Sequence, residues 1–254
     1  MKAKLSVTII TLNEEENIRP CLESVKWADE IVVCDSGSSD KTLEVCREYT
    51  NRIYMDEWRG FGAHKNLCLD RAFYPWVLSL DADERVSIAL RAEIEGILEG
   101  KGKFEGYFIP RRNYFLGKWV KHCGWYPDYT LRLFKKDKGR FKERSVHEAV
   151  DVNGPIGYLE EPLEHYTYQS ISDFLKRLDR YSTLAAEEMA RSGKRCRLSR
   201  LLLHPPFTFL KMFFLQKGFL EGHRGLLISI LYSFYTFSKY AKLWELERQK
   251  RKSK

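Results

Sequence analysis

No run of about 20 apolar residues, the length a membrane-spanning helix needs, occurs anywhere in the 254 residues. The six cysteines, Cys21, Cys34, Cys46, Cys68, Cys123 and Cys196, include no Cys-x-x-Cys pair and no close Cys/His spacing. That argues against a structural zinc and leaves reduced thiols of a cytosolic compartment. The opening residues carry no basic segment leading into an apolar stretch and a cleavage site, so no secretory leader is expected. A Gly-rich loop with basic residues, which would hold a triphosphate, is missing from the N-terminal region. There is no internal repeat and no low-complexity linker, and the length suits one α/β domain with an appended segment.

Charge is present but unevenly placed. Residues 1–100 carry 12 basic against 19 acidic residues, and residues 101–150 carry 13 against 5. Residues 151–190 carry 3 against 8, and residues 191–254 carry 15 against 3. The net +8 therefore resides in two basic zones on an otherwise acidic chain. The last zone interleaves its charges with apolar runs, as membrane-surface segments do, so no nucleic-acid partner is expected.

The N-terminal half alternates strand and helix patterns. Residues 4–10 form a β-rich run that stops at Thr11, Leu12 and Asn13, and residues 14–26 then carry Ile18, Leu22 and Val25 at helical spacing. Residues 30–34, 52–55 and 76–80 read as further strands, and residues 42–49 and 62–72 as helices. The alternation predicts a mixed, mainly parallel sheet with helices on both faces. Ligands bind outside the carboxyl ends of such strands. The polar clusters lie at those ends: residues 11–13, 35–40 and 81–84.

Asp81-Ala82-Asp83 places two carboxylates two residues apart after a buried strand. Mg²⁺ or Mn²⁺ commonly takes one or two carboxylates and completes its shell with substrate phosphate and water. A departing nucleotide diphosphate needs such a charge. A solvated turn is the competing explanation of the pattern alone. Asp35 at the second strand end is suited to a base or ribose, although residues 35–40 also read as an Asx turn with Ser38 or Ser39 as the helix cap. Residues 62–66, with His64 and Lys65, offer a cation for phosphate or base.

The ordered motifs at residues 7–15, 33–42 and 78–84 resemble the family 2 glycosyltransferases. The resemblance implies a GT-A fold and an inverting mechanism. It also implies that Thr11, Asn13, Glu15, Asp35 and Lys65 surround the nucleotide, that Asp83 is the principal metal ligand, and that Asp81 lies near the ribose. Residues 110–117, 124–128, 131–134 and 146–148 are similar to bacterial lipopolysaccharide core glycosyltransferases that add glucose to inner-core heptose. This implies a UDP-sugar donor and an anionic, lipid-linked saccharide acceptor.

An inverting transfer needs a general base beside the acceptor hydroxyl. Asp128 and Glu148 are the acidic candidates, with Asp128 preferred because Trp125 and Tyr126 precede it as a sugar-pocket wall. His147 reads either as a further metal ligand or diphosphate contact, or as a satisfied structural group. Arg111 and Arg112, with Lys118, Lys121 and His122, would suit a phosphorylated acceptor, since arginine forks match phosphate oxygens; a solvated basic loop competes with that.

Residues 170–191 predict an amphipathic helix opened by a Ser170/Asp173 capping box and closed at Gly193, with Ile171, Phe174, Leu175, Leu178 and Tyr181 on one face. Beyond it, residues 206–215 and 226–237 are apolar. They suit a peripheral anchor on the cytoplasmic face of the bacterial inner membrane, against a buried helical cap or a dimer interface. The division expected is 1–100 for the nucleotide sugar, 101–190 for the acceptor and 191–254 as a membrane-associating tail. A polyprenyl-phosphate transferase, a nucleotidyltransferase and a silent membrane adaptor are the competing functions.

Overall fold

The computed structural model describes residues 2–142 and 149–252. His147 and Glu148 lie outside the described residues. The chain divides into two compact units, residues 1–112 with 128–166, and residues 113–127 with 167–254.

The first unit opens with β1 (Leu5–Thr11), α1 (Ile18–Val25), β2 (Glu30–Asp35), α2 (Thr42–Arg47), β3 (Ile53–Met55), α3 (Phe61–Arg71) and β4 (Trp76–Asp81). β5 (Glu84–Val86), α4 (Ile88–Gly96) and β6 (Gly106–Phe115) follow. β7 (Lys118–Trp119) belongs to the second unit, after which come β8 (Asp128–Lys135), β9 (Gly139–Phe141), β10 (Val150–Val152), β11 (Ile156–Tyr158) and β12 (Leu163–Tyr168). The main sheet runs β3-β2-β1-β4-β8-β6-β12-β5. Its β3-β2-β1-β4 part is parallel, whereas β8 enters antiparallel to both β4 and β6.

All seven residues of β1 are buried, because the strand is covered on both faces. Val7 and Ile9 point into the cluster with Ile18, Leu22 and Val25 of α1 and Leu90 and Ile94 of α4. Ile10 points the other way, with Cys68 of α3. Each fully buried aliphatic side chain contributes about 1.5–3 kcal/mol, so a truncation such as Leu78→Ala should cost about 2–5 kcal/mol.

Helix α1 begins four residues later than the helix expected over residues 14–26. Ile18 N donates to Glu14 O in a preceding turn. A helix begun at Glu14 would set Pro20 in its interior, where the missing N–H and the ring clash are costly; begun at Ile18, Pro20 lies harmlessly in the first turn.

In the second unit α5 spans Ile171–Arg191, α6 Leu198–Leu210 and α7 His223–Lys252. Ser170 caps α5 by accepting from Asp173 N at 3.0 Å, and its hydroxyl donates to the Asp173 carboxylate at 2.7 Å. Gly193, at φ 72°, closes the end. The buried face of α5 is Phe174, Leu178, Ser182 and Ala186, whereas Leu175 is exposed. Phe174 and Leu178 join Phe115, Val120, Trp125, Met212 and Ile228 in one core.

Candidate active site

Parallel register lines up the functional strand ends. Thr11 pairs with Asp35 and Ile10 with Asp81, so the carboxyl ends of β2, β1 and β4 stand side by side at the strand spacing of about 4.8 Å.

The first two loops are tied together. Asp35, fully buried, accepts from Gly37 N at 2.8 Å, Ser38 N at 2.7 Å and the Ser38 hydroxyl. Asn13 holds a left-handed φ of 53° while its N–H donates to Ser38 Oγ at 2.8 Å and its Oδ1 accepts from Ser39 N at 2.8 Å. Glu15 accepts from Lys41 N at 3.1 Å. The cap of α2 comes from Asp40, whose Oδ1 accepts from Thr42 N at 3.0 Å, and not from Ser38 or Ser39, which are committed to Asp35 and Asn13. Within this knit crevice Thr11 Oγ1 is buried with no hydrogen-bond partner among the described residues. Such an orphan is rare in a protein interior and points to a ligand or water. Leu12 beside it is 45% exposed.

His64 and Lys65 reach the same edge from α3. His64 Nε2 lies 3.0 Å from Ser36 Oγ and 3.3 Å from Cys34 O, and burial lowers the pKa of its ring. Lys65 is buried with Nζ 2.8 Å from Asp81 Oδ1. Asp81 also accepts from Arg132 of β8. Burial alone would raise the Asp81 carboxyl, but Arg132 and Lys65 outweigh it and hold the group well below the usual carboxylate range.

A chain of alternating charge continues from there. Arg132 donates to Glu84 Oε1 at 2.7 Å, and Glu84, fully buried, also accepts from Asp81 N at 2.9 Å and from Arg111 Nη1 at 3.4 Å. Arg111 in turn donates to Asp128 Oδ2 through Nε at 3.0 Å and Nη2 at 2.7 Å. Ala82 is buried between the two aspartates. Asp83 turns away from this network: its Oδ1 lies 3.5 Å from His165 Nε2 on β12, and its carbonyl accepts from Tyr166 N at 2.9 Å.

Sequence reasoning had not singled out Glu84, Arg132 or His165. A signal existed for Arg132, a charge flanked by Leu131 and Leu133 in a strand buried on both sides, because buried charges are paired. His165 carried none, since its place beside Asp83 depends on β12 pairing with β5.

The expected acceptor residues divide. Arg111 and Arg112 lie on β6 in the first unit, while Trp125 and Tyr126 belong to the second. Trp125 is buried in the core, in edge contact with Phe115 and Tyr232, and Tyr126 packs edge-on against Trp119. The basic loop is anchored rather than loose. Lys121 N, His122 N and His122 Nδ1 all meet Glu221 Oε1, at 3.0, 3.1 and 2.7 Å, and Lys121 Nζ stands 4.6 Å over Trp119.

Asp83 and His165 offer one oxygen and one nitrogen donor, which suits Mg²⁺ or Mn²⁺ that draws its other ligands from diphosphate and water. Among the described residues no three His, Cys, Asp or Glu side chains form a closed cage.

Comparison with known proteins places this geometry. The model of glycosyl transferase family 2 matches residues 6–167. The chain is 32% identical over 256 residues to the lipopolysaccharide core biosynthesis glycosyltransferase LpsC of Rhizobium meliloti (strain 1021), covering 96% of this chain and 93% of that protein. It is 30% identical over 260 residues to an uncharacterized glycosyltransferase of Rickettsia typhi, covering 98% and 89%. Among solved structures, the mannosyltransferase PcManGT of Pyrobaculum calidifontis in complex with GDP-Man and Mn²⁺ superposes with TM-score 0.56 at 14% identity, covering 96% of this chain and 87% of that one. S. aureus TarS 1–349 in complex with UDP-GlcNAc superposes with TM-score 0.51 at 16% identity, covering 97% and 92%. The chain belongs to glycosyl transferase family 2 and has the mixed α/β GT-A fold of that family's enzymes.

Proposed function

We propose that this enzyme moves a hexose, glucose in the preferred reading, from a UDP-sugar onto a hydroxyl of an anionic, lipid-linked saccharide, with inversion at the anomeric carbon. The acceptor proposed is inner-core heptose of lipopolysaccharide, at the cytoplasmic face of the inner membrane. The similarity to LpsC supports the acceptor class, and the nucleotide sugars held by TarS and PcManGT support the donor class.

One observation carries the reading. The Asp83–His165 donor pair stands two residues from Asp81, whose strand runs in register with the Thr11–Asp35 crevice. In this reading Thr11, Leu12, Asn13, Glu15 and Asp35 bind the nucleoside, with His64 fixing the loop that carries Asp35. Asp81, held by Lys65 and Arg132, faces the ribose. Asp83 and His165 hold Mg²⁺ or Mn²⁺, which when bound neutralises charge on the diphosphate.

Asp128 acts as the general base. Arg111 fixes its orientation, and its carboxylate takes the acceptor proton as the acceptor oxygen bonds to the anomeric carbon and the bond to UDP breaks. Arg111 and Arg112 bind the acceptor's anionic group. The test is a donor-hydrolysis screen across UDP-, GDP-, ADP- and dTDP-sugars with Mg²⁺ and Mn²⁺, followed by transfer to core saccharides with the product anomer read by NMR. Turnover of UDP-glucose to a β-linked product is expected. Preference for a polyprenyl phosphate acceptor, or retention of configuration, would overturn the reading.

A further inference from the structure

The two long C-terminal helices of the second unit are built inside out. Along α7 the small and polar residues Gly225, Ser229 and Thr236 are buried. Ser229 Oγ donates to Gly225 O at 2.7 Å, Thr236 Oγ1 to Tyr232 O at 3.0 Å, and Ser233 Oγ to Pro205 O of α6 at 2.8 Å. Thr236 also meets Thr208 of α6 at 3.3 Å. A Cβ on Gly225 would lie 1.8 Å from Gly218 O, so the backbones approach as only glycine permits. Ile228, Tyr240 and Leu243 are buried beside them, but the other large apolar residues face outward: Leu226, Leu227, Ile230, Phe234, Phe237 and Trp244 recur at helical spacing, each at least 39% exposed. On α6 and the turns after it, Leu202, Phe207, Leu210, Phe214, Leu215 and Leu220 are at least 50% exposed.

Water-facing helices bury their large apolar side chains and expose their small polar ones. Helices that face lipid pack through small residues, with serine and threonine hydroxyls bonding at the contact and to their own helix. This pair follows the second rule. Exposed large apolar residues clustered on two neighbouring helices mark an interaction surface rather than ordinary scattered exposure. No helix among the described residues is long and apolar enough to cross a membrane, so a lipid-facing pair of this kind would lie along the interface.

The charges choose the partner. Arg191, Lys194, Arg195 and Arg197 are exposed immediately before α6, Lys211 and Lys217 are exposed between the helices, and Arg248 continues the outward stripe of α7 one turn beyond Trp244, with its guanidinium 5.1 Å over the indole. Two of the three acids of residues 191–254 are engaged inside the unit, Glu221 with His122 and Glu247 with Cys196 N. A two-fold dimer through this face would bring each basic rim against its own copy. Anionic headgroups complement it.

We infer that the outward faces of α6 and α7 are a lipid-docking surface. The aliphatic and phenyl side chains enter the acyl boundary of an anionic bilayer, and Trp244 and the basic rim sit at the headgroups. The inference deepens the lipid-linked acceptor of the proposed function but rests on the packing of these two helices alone.

The test uses the full chain with phosphatidylethanolamine–phosphatidylglycerol vesicles, against phosphatidylcholine vesicles. A variant combining Leu202→Gln, Leu210→Gln, Ile230→Gln and Phe234→Gln alters only exposed positions. The expected results are co-sedimentation with the anionic vesicles, partly reversed by salt, a blue-shifted Trp244 emission lost in Trp244→Phe, and at least tenfold weaker vesicle binding by the four-residue variant. Its melting temperature and UDP-glucose hydrolysis should stay unchanged. Failure of the full chain to bind vesicles overturns the inference, as does unaltered binding by the variant. So does a dimer in sedimentation equilibrium that the four substitutions dissociate. Vesicle binding without any nucleotide-sugar turnover would instead sink the proposed reaction and leave the docking surface standing.

Discussion

Asp83 and His165 face each other across an antiparallel step, Oδ1 to Nε2 at 3.5 Å, while the next backbone bond, Tyr166 N to Asp83 O at 2.9 Å, fixes the register that brings them there. A carboxylate and an imidazole so placed could offer a divalent cation one oxygen and one nitrogen.

Removing either donor should therefore weaken metal-dependent nucleotide binding without unfolding the chain. His165→Ala is expected to raise the Mn²⁺ concentration needed for half-maximal UDP binding about 10–100-fold, and Asp83→Ala to abolish the metal dependence. Calorimetric UDP titrations with and without Mn²⁺ measure both. UDP binding by the parent protein that is indifferent to chelator would show that the pair holds no metal.

For Asp81 the expected effect is on stability. Asp81→Asn leaves the buried Lys65 ammonium without its 2.8 Å counter-charge, which should cost about 3–5 kcal/mol and lower the melting temperature by of order 10 °C. Adding Lys65→Met to that variant should recover part of the loss, because the orphaned charge goes with it. Equal melting temperatures for the parent and Asp81→Asn would mean that the pair is not stabilising.

Asp128→Asn should abolish transfer and spare donor binding, since a base acts on the acceptor hydroxyl. Arg111→Gln should reduce transfer less severely, because it loosens the carboxylate without deleting it. A dead Glu148→Gln beside an active Asp128→Asn would exchange the two roles.

His64 sets an acid limit. Burial lowers its folded pKa below the ordinary 6.5, so between those values the unfolded chain binds the extra proton. The stabilising contribution is complete above about 6.5 and is lost as pH falls towards the folded value. The melting temperature should decline between pH 7 and 5, and decline less in His64→Gln. Parallel profiles for the two proteins would assign the acid loss elsewhere.

Much of the nucleotide half was legible because its signals are local. An apolar β-branched run ending in Thr11, Asp35 or Asp81 marks a buried strand and its ligand-facing end, and parallel alternation brings those ends together. The partner of Asp83 was not legible. His165 lies 82 residues after Asp83 in the sequence, and only the β12–β5 pairing joins them. The same holds for Arg132, delivered by β8 against β4. In the tail, the two apolar runs were visible, but a helix wheel does not say which side meets its neighbour. Packing against α6 decided that the polar side turns inward.

The last register pair of β6 and β8 joins Arg111 to Asp128, and residues 113–127, all between them, belong to the second unit. Topologically that segment is an oversized hairpin loop whose two ends are clasped by an ion pair. Phe115, Val120, Cys123 and Trp125 of that segment are built into the core of the second unit, so it cannot be exchanged as a loop alone. A chimaera spliced at Arg112 and Asp128 would therefore need residues 167–254 of the same relative along with the segment.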